Sequence, residues 1–236
     1  YFQFTLNDYD DEGLEPGVPP VEARIQTFRA LSERLGRRRV VWRFDPLIIT
    51  RKTPPEQLLS KVVRVGDALQ GFAERLVISF ADIGAYPKVE RALRAADVGA
   101  REFNLEEMRS FAAGLSSHAK RWGMDVRTCA EAVDLSEFGV LPNKCVDDEL
   151  LMKWFPNDVV LMRFLGVESD LLGTVGRKSG RSLKDKGQRK VCGCIVSKDI
   201  GIYNTCPHLC VYCYANSGHD CVARAKRHNP DSECIL

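Results

Sequence analysis

Residues 1–150 repeat one pattern four times: a short apolar run, then a longer stretch with helical periodicity. The four runs begin YFQFTL, RVVWRFDPLII, LVISFAD (residues 76–82) and MDVRTCAEAVDL. Strands that alternate with helices predict right-handed βαβ units and a parallel sheet. The spacing favours a (β/α) TIM-like barrel, here a partial one, while a Rossmann-like open sheet stays an alternative.

Start signals and apolar spacing mark the predicted helices. One helix begins near Pro20, and another is opened by the sequence TPPE, with Thr53 as its N-cap. A third runs from Asn104 and carries its apolar side chains on one stripe. We therefore expect one apolar helical layer against the sheet.

Apolar and polar side chains alternate within the predicted strands, so each strand has one apolar and one polar face. A packed barrel centre favours branched apolar side chains, so a polar inner face predicts a wet cavity that holds a ligand. The alternative is that these side chains lie beyond the strand ends, in solvated loops. The predicted lumen residues are Gln3, Thr5, Arg43, Asp45, Ser79, Cys129 and Glu131.

Charge and hydropathy restrict the partners. The net charge of +2 gives no general case for nucleic acid or anionic membrane, and no apolar run of about twenty residues is present. Five of nine cysteines fall between residues 192 and 213, a pattern more typical of metal binding than of disulfides. We expect a cytoplasmic protein. Because the chain opens on Tyr1, inside an apparent strand, we also expect N-terminal strands before it.

We predict a single domain over residues 1–236: β/α barrel units at 1–150, an irregular basic region at 151–190, and a cysteine-rich segment at 191–236. Residues 173–190 contain seven lysines and arginines against one aspartate. Such a run is typical of a solvated loop. Its functional alternative is a flexible lid, or a weak nucleic-acid contact through the basic strip at 177–190.

The sequence CPHLCVYCYAN places Cys206, Cys210 and Cys213 in a C-x3-C-x2-C array. Three thiolates can ligate three irons of a cubane cluster and leave the fourth iron open. Zinc is a competitor, since Cys192 and Cys194 can complete a four-ligand set with two of the triplet. His208 between the first two cysteines is a further candidate, although a loop histidine is more often solvated.

The remaining cysteines fall into two classes. Cys192 and Cys194 are placed to reach the cluster or a second metal, and Cys145 is a candidate to join them. Cys129 is expected as a buried thiol, with a role in the lumen as the alternative. The last two cysteines, Cys221 and Cys234, carry no predicted role.

The motif TCPHLCVYCYAN resembles the cluster-binding loop of radical S-adenosylmethionine enzymes. The segments VVWRFDP, TCAEAVDLSEFG, CGC and DIGIYNTCPHLCVYCYAN together resemble a bacterial family named domain of unknown function 1848. The resemblance implies a 4Fe-4S cluster on Cys206, Cys210 and Cys213, with S-adenosylmethionine on the open iron. It also implies that Tyr212 packs near the cofactor's adenine.

In radical enzymes this loop follows the first barrel strand, whereas here it lies near the end of the chain. We predict a strand over residues 192–204 (CGCIVSKDIGIYN), followed by the cysteine loop and then a helix. This is the order expected of a circularly permuted radical S-adenosylmethionine barrel. No Gly-Gly-Glu motif of the cofactor-binding kind is present.

We therefore expect a radical S-adenosylmethionine-like enzyme that draws on an external electron donor and acts on an unknown small molecule in the lumen. Arg43, Asp45 and Glu131 are the candidate catalytic residues, because a guanidinium and carboxylates can hold polar groups of cofactor or substrate. Two alternatives remain. One is a non-catalytic binding module stabilised by zinc or a cluster; the other is a hydrolase or isomerase barrel with structural metal and acid and base at Glu131 and Asp45.

Overall fold

The computed structural model describes residues 1–169, 175–177, 182–216, 220–229 and 231–233. Two compact units are present. The first contains Tyr1–Thr128, Val133–Leu141 and Ile200–Leu236, and the second contains Cys129–Ala132 and Pro142–Asp199. In the described part of the chain, no helix is both long and apolar enough to cross a membrane.

Strands and helices alternate over the first half of the chain, as predicted. The strands are β1 (Phe2–Thr5), β2 (Val40–Leu47), β3 (Arg75–Phe80), β4 (Asp125–Thr128), β5 (Val140–Pro142), β6 (Val167–Ser169) and β7 (Val175–Arg177). The helices are α1 (Val21–Leu35), α2 (Pro55–Leu69), α3 (Pro87–Ala95), α4 (Leu105–Trp122), α5 (Asp148–Trp154), α6 (Val159–Leu165) and α7 (Asp220–Arg227).

The main sheet has the order β1-β2-β3-β4-β5, and β1 to β4 pair in parallel. Each strand therefore adds beside the previous one, which confirms the predicted α/β class. Within the described residues the sheet is open: β1 and β5 are its edges and do not pair with each other.

The two faces of the sheet differ as the alternation predicted. Trp42, Phe44, Leu76 and Ile78 are fully buried in the apolar cluster that also contains residues of α1, α2 and α4. The indole nitrogen of Trp42 donates to the Leu6 carbonyl at 2.9 Å, so the ring is buried with its polar atom satisfied. The opposite face carries the predicted polar residues Arg43, Asp45 and Ser79, together with buried Val41 and Val77.

Helix α4 begins where the sequence predicted. The Asn104 side chain accepts from the Glu107 amide at 2.9 Å, and the Glu107 carboxylate accepts from the Asn104 amide at 3.0 Å, which is a complete capping box. The prediction for Thr53 is wrong. Helix α2 has Pro54 as its N-cap, which has no side-chain acceptor, and the Thr53 hydroxyl donates to Glu12.

The second unit has a small buried apolar cluster of Met162, Leu165, Leu183 and Ile195. Helices α5 and α6 lie here, with the antiparallel pair β6 and β7, in a region for which the sequence indicated mainly irregular structure. Short helices of seven residues give only a weak periodic signal, which explains why they were missed.

Close packing of α2 on α4 generates a first prediction. A Cβ at Gly66 would lie 2.4 Å from two ring carbons of buried Trp122. We expect Gly66→Ala to lower the free energy of unfolding by about 1–2 kcal/mol, because overpacking outweighs the helix-propensity gain of alanine. Urea denaturation measures this change.

Gly114→Ala is the matched control, since the added Cβ meets only the flexible end of Leu59 at 2.6 Å. This variant should be neutral or slightly stabilising. Equal stability changes in the two variants would contradict the packing argument.

Candidate metal centre

The cysteine loop (residues 206–213) docks on the segment that follows the carboxyl end of β1, here called the post-β1 segment (residues 6–17). The Gly17 amide donates to the His208 carbonyl, and the Val211 amide donates to the Leu14 carbonyl, both at 2.8 Å. Ligand sites of parallel α/β folds lie at the carboxyl ends of strands. The loop therefore occupies the edge of the sheet at which such sites form.

Gly17 permits this docking. A Cβ at this position would lie 2.6 Å from the Pro207 carbonyl oxygen and 2.7 Å from that of His208, both backbone atoms. Real Cβ contacts are not this short, and backbone atoms cannot turn away as a side chain can. A glycine is thus required for the two segments to approach.

The Tyr212 side chain attaches the cysteine loop to the post-β1 segment. Its hydroxyl donates to the Glu15 carboxylate and accepts from the Asn7 amide group at 3.0 Å. Its ring meets Tyr9 edge to face, with centroids 6.2 Å apart. Burial, followed by the charge of Glu15, raises the pKa of Tyr212, so the phenol keeps the proton that it donates.

Glu15 is the centre of this network. Its buried carboxylate accepts from Asn7 at 2.8 Å and from Arg24 at 3.2 Å, in addition to Tyr212. Arg24 extends from α1 and also donates to the Asn7 carbonyl at 2.9 Å. The loop, the post-β1 segment and α1 are therefore held around one charge.

The three thiols of the loop differ in exposure: Cys206 is exposed, whereas Cys210 and Cys213 are half-buried. The Cys213 amide donates to the Cys210 carbonyl at 3.0 Å, and Leu209 adopts a left-handed φ of 55° that leucine rarely takes. Burial, followed by the charges of Glu15 and Cys213, raises the pKa of Cys210 to about 12. Cys206 adds to the same effect, so the three sulphurs lie within electrostatic reach.

The predicted residues Arg43 and Asp45 lie together on the polar face of the sheet. The Arg43 guanidinium binds Asp45 and donates to Gln3 at 2.6 Å, and the Ser79 hydroxyl donates to Asp45. Asn7 links this group to the loop, because it bonds the Asp45 backbone and Tyr212. Gln3 and Thr5, also predicted for the lumen, are exposed.

Glu131 and four predicted cysteines belong to the second unit. The Glu131 carboxylate accepts from the Ala132 amide at 2.8 Å, and its catalytic role stays a prediction. Cys129 and Cys145 have their sulphurs 3.4 Å apart, and the Cys145 amide donates to the Cys194 sulphur at 3.0 Å. Cys192 and Cys194 are buried.

Other predicted elements have mixed outcomes. The strand over residues 192–204 is wrong: only an isolated bridge forms there, between Ile195 and Lys184, while the following helix is present as α7. His208 is exposed and contributes its backbone carbonyl to the docking. Cys221 is fully buried in α7, and Cys234 lies outside the described residues.

The basic strip is only partly described. Residues 173, 174 and 178–181 lie outside the described residues, while the backbone of 175–177 forms β7. Lys184 donates to the Lys190 carbonyl. The lid and nucleic-acid interpretations of this strip stay predictions.

No group of three or more His, Cys, Asp or Glu side chains stands in a metal-holding arrangement in the part of the chain that the structure describes. The cysteine loop thus brings three thiols close without presenting a preformed coordination geometry. The case for a metal here therefore rests on the three cysteine side chains and on the position of the loop at the sheet edge, and not on a coordination geometry.

The sequence matches the family described as Domain of unknown function (DUF1848) over residues 1–215. The chain belongs to the DUF1848 family. No curated protein matches it, and no solved structure matches it. The matched region contains both the post-β1 segment and the whole cysteine loop.

Sequence reasoning missed three residues that hold the cysteine loop in this DUF1848 protein: Asn7, Glu15 and Gly17. All three lie in NDYDDEGLEPG, a polar, glycine-containing segment directly after the first strand. Loops at that position carry function in parallel α/β folds, which is the signal that could have identified them. Their contacts with a loop about two hundred residues away give no local pattern.

The docking of the two segments generates a second prediction. In metal-free protein, Gly17→Ala should displace the cysteine loop, make Cys210 alkylate several-fold faster at neutral pH, and lower stability by about 1–3 kcal/mol through overpacking. Iodoacetamide labelling with peptide mass spectrometry gives the rate. Gly84→Ala is the control, because its Cβ meets only Glu102 at 3.5 Å. Unchanged Cys210 labelling in Gly17→Ala would contradict the docking geometry.

The raised pKa of Cys210 generates a third prediction. A thiol whose pKa is raised stays protonated up to that pH, and only the thiolate is alkylated. In metal-free protein we expect Cys210 labelling to keep accelerating above about pH 9, whereas free cysteine levels off near its ordinary pKa of about 8.5. A Cys210 rate that reaches its plateau below pH 9 would contradict the burial and charge described here.

Proposed function

We propose that this DUF1848 protein is an iron-sulfur protein in which Cys206, Cys210 and Cys213 ligate a 4Fe-4S cluster, and that it acts as a radical S-adenosylmethionine-like enzyme. One observation carries the proposal. A C-x3-C-x2-C loop, in which Cys206 and Cys213 both lie within electrostatic reach of Cys210, is docked on the segment that follows the first strand of a parallel sheet. This is the edge at which α/β folds bind ligands.

The donor set fits such a cluster. Soft thiolates suit iron-sulfur centres, and three ligands from one loop leave one iron open for a small molecule. A structural zinc site is normally closed by four ligands. Burial and the charges of Glu15 and of the neighbouring thiolates disfavour ionisation of Cys210, and a bound metal cation would offset this effect, since an opposite charge stabilises a thiolate.

The chemistry available from a cluster of this kind is one-electron reductive cleavage of S-adenosylmethionine, with the electron from an external donor, followed by hydrogen abstraction from a substrate. The protein's own residues supply position. Tyr212, whose hydroxyl is held by Glu15 and Asn7, fixes the loop, and we propose that its ring contacts the cofactor's adenine.

Arg43, Asp45 and Ser79 are proposed to orient the substrate or the amino and carboxylate groups of the cofactor. They form one hydrogen-bonded group on the polar face and are only partly buried. Asn7 connects them to the loop through Asp45. Glu131 is a further candidate for this role, and we propose that the open sheet is part of a (β/α) barrel whose polar face is the lumen.

Iron and acid-labile sulphide analysis after anaerobic reconstitution tests the cluster. We expect about four irons and four sulphides per chain, and an EPR signal of the reduced protein that changes on addition of S-adenosylmethionine. Cys210→Ala should lose most of the iron and the signal, because it removes one of three ligands. Cys221→Ala, a buried cysteine in α7, is the matched control and should retain both.

Two results would contradict the proposal: no iron after reconstitution, or an iron content that Cys210→Ala leaves unchanged. If the cluster is intact but its EPR signal does not change on addition of S-adenosylmethionine, the iron-sulfur proposal is supported and the radical S-adenosylmethionine proposal is contradicted.

A further inference from the structure

Four cysteines from three separate parts of the sequence meet within the second unit. Cys129 follows β4, Cys145 precedes α5, and Cys192 and Cys194 belong to a loop about fifty residues later. None of them belongs to the cysteine loop. These cysteines are far apart in the sequence, so it is the fold that brings them together, and a shared role would explain this arrangement.

Side-chain and backbone contacts link the four cysteines in a chain. The Cys129 and Cys145 sulphurs are 3.4 Å apart, and the Cys145 amide donates to the Cys194 sulphur at 3.0 Å. Cys194 in turn is within hydrogen-bonding reach of the Cys192 side chain. The Asn143 amide group lies 3.7 Å from the Cys145 sulphur, where it can donate to it.

Backbone hydrogen bonds hold these segments together. The Ile195 amide donates to the Val146 carbonyl at 3.1 Å, beside Cys194 and Cys145. The Asp185 amide donates to the Cys194 carbonyl at 2.9 Å. Beyond these bonds, the described buried apolar cluster of the unit is the small group Met162, Leu165, Leu183 and Ile195. Small cores of this kind commonly depend on a metal or a disulfide.

We propose that Cys129, Cys145, Cys192 and Cys194 form a four-thiolate structural zinc site. Two thiolates of a tetrahedral site with Zn–S bonds of about 2.3 Å lie about 3.8 Å apart, close to the separation of the Cys129 and Cys145 sulphurs. Binding releases the four thiol protons and leaves zinc and sulphur in their oxidation states. Because the described side chains hold no finished metal geometry, zinc uptake must turn the four sulphurs toward one point.

A disulfide is the competing interpretation. Cys129 and Cys145 are close enough to be oxidised with little movement, but their sulphurs are well beyond the bonded distance of about 2.05 Å. A single disulfide also gives no role to buried Cys192 and Cys194. Zinc uses all four thiols and requires no oxidant.

The experiment removes the cysteine loop's ligands first. In the full chain carrying Cys206→Ser, Cys210→Ser and Cys213→Ser, we expect about one zinc per chain to survive gel filtration, as measured by inductively coupled plasma mass spectrometry. Addition of Cys129→Ser and Cys145→Ser should remove it, while addition of Cys221→Ser should not. Cobalt substitution should give the visible bands of a tetrahedral thiolate site only where zinc was retained.

A second measurement does not depend on whether the further cysteine variants fold. Chelation of zinc from the triple variant should lower its melting temperature, and added zinc should restore it. No zinc in the triple variant, zinc that survives loss of Cys129 and Cys145, or a Cys129–Cys145 disulfide in freshly isolated anaerobic protein would each overturn the proposal. Because these proteins lack the loop's thiols, the outcome is independent of the iron-sulfur proposal.

Discussion

A buried carboxylate holds the cysteine loop, the post-β1 segment and helix α1 together in the first unit. Glu15 accepts hydrogen bonds from Arg24 of α1, from Asn7 of the post-β1 segment and from Tyr212 of the cysteine loop. An uncompensated buried charge costs about 3–5 kcal/mol, so removal of a partner is expected to be far more costly than the loss of one surface bond. The buried Glu15 carboxylate requires hydrogen-bond donors in place of water, and these donors fix three chain segments relative to one another.

This constraint connects the sheet to the cysteines. Asn7 bonds Glu15 and Tyr212 on one side and the Asp45 backbone of β2 on the other. The Arg43 and Asp45 pair is consequently tied to the cysteine loop through a single amide side chain. A ligand at the loop would therefore meet polar groups whose positions are already set by hydrogen bonds, which is the condition for oriented binding.

The two sets of cysteines, for which we propose two different metal sites, differ in three ways. The loop triplet comes from eight consecutive residues, contains one exposed thiol, and supplies three donors. The second set comes from three segments, includes two buried thiols, and supplies four donors. Open sites with three protein ligands suit chemistry, whereas closed sites with four suit stability.

The amino-acid sequence by itself determined the α/β class, the two unlike faces of the sheet and the cysteine triplet, because these depend on periodicity and spacing over a few residues. Only the tertiary structure decided that Gly17 admits the loop, that Glu15 receives Tyr212, and that Cys129 lies beside Cys145. Local pattern also misled at Thr53, whose hydroxyl bonds Glu12, and at residues 192–204, which form no strand. The physical reason is the same throughout: contacts between distant segments depend on how the segments pack, and a sequence window contains only one side of each contact.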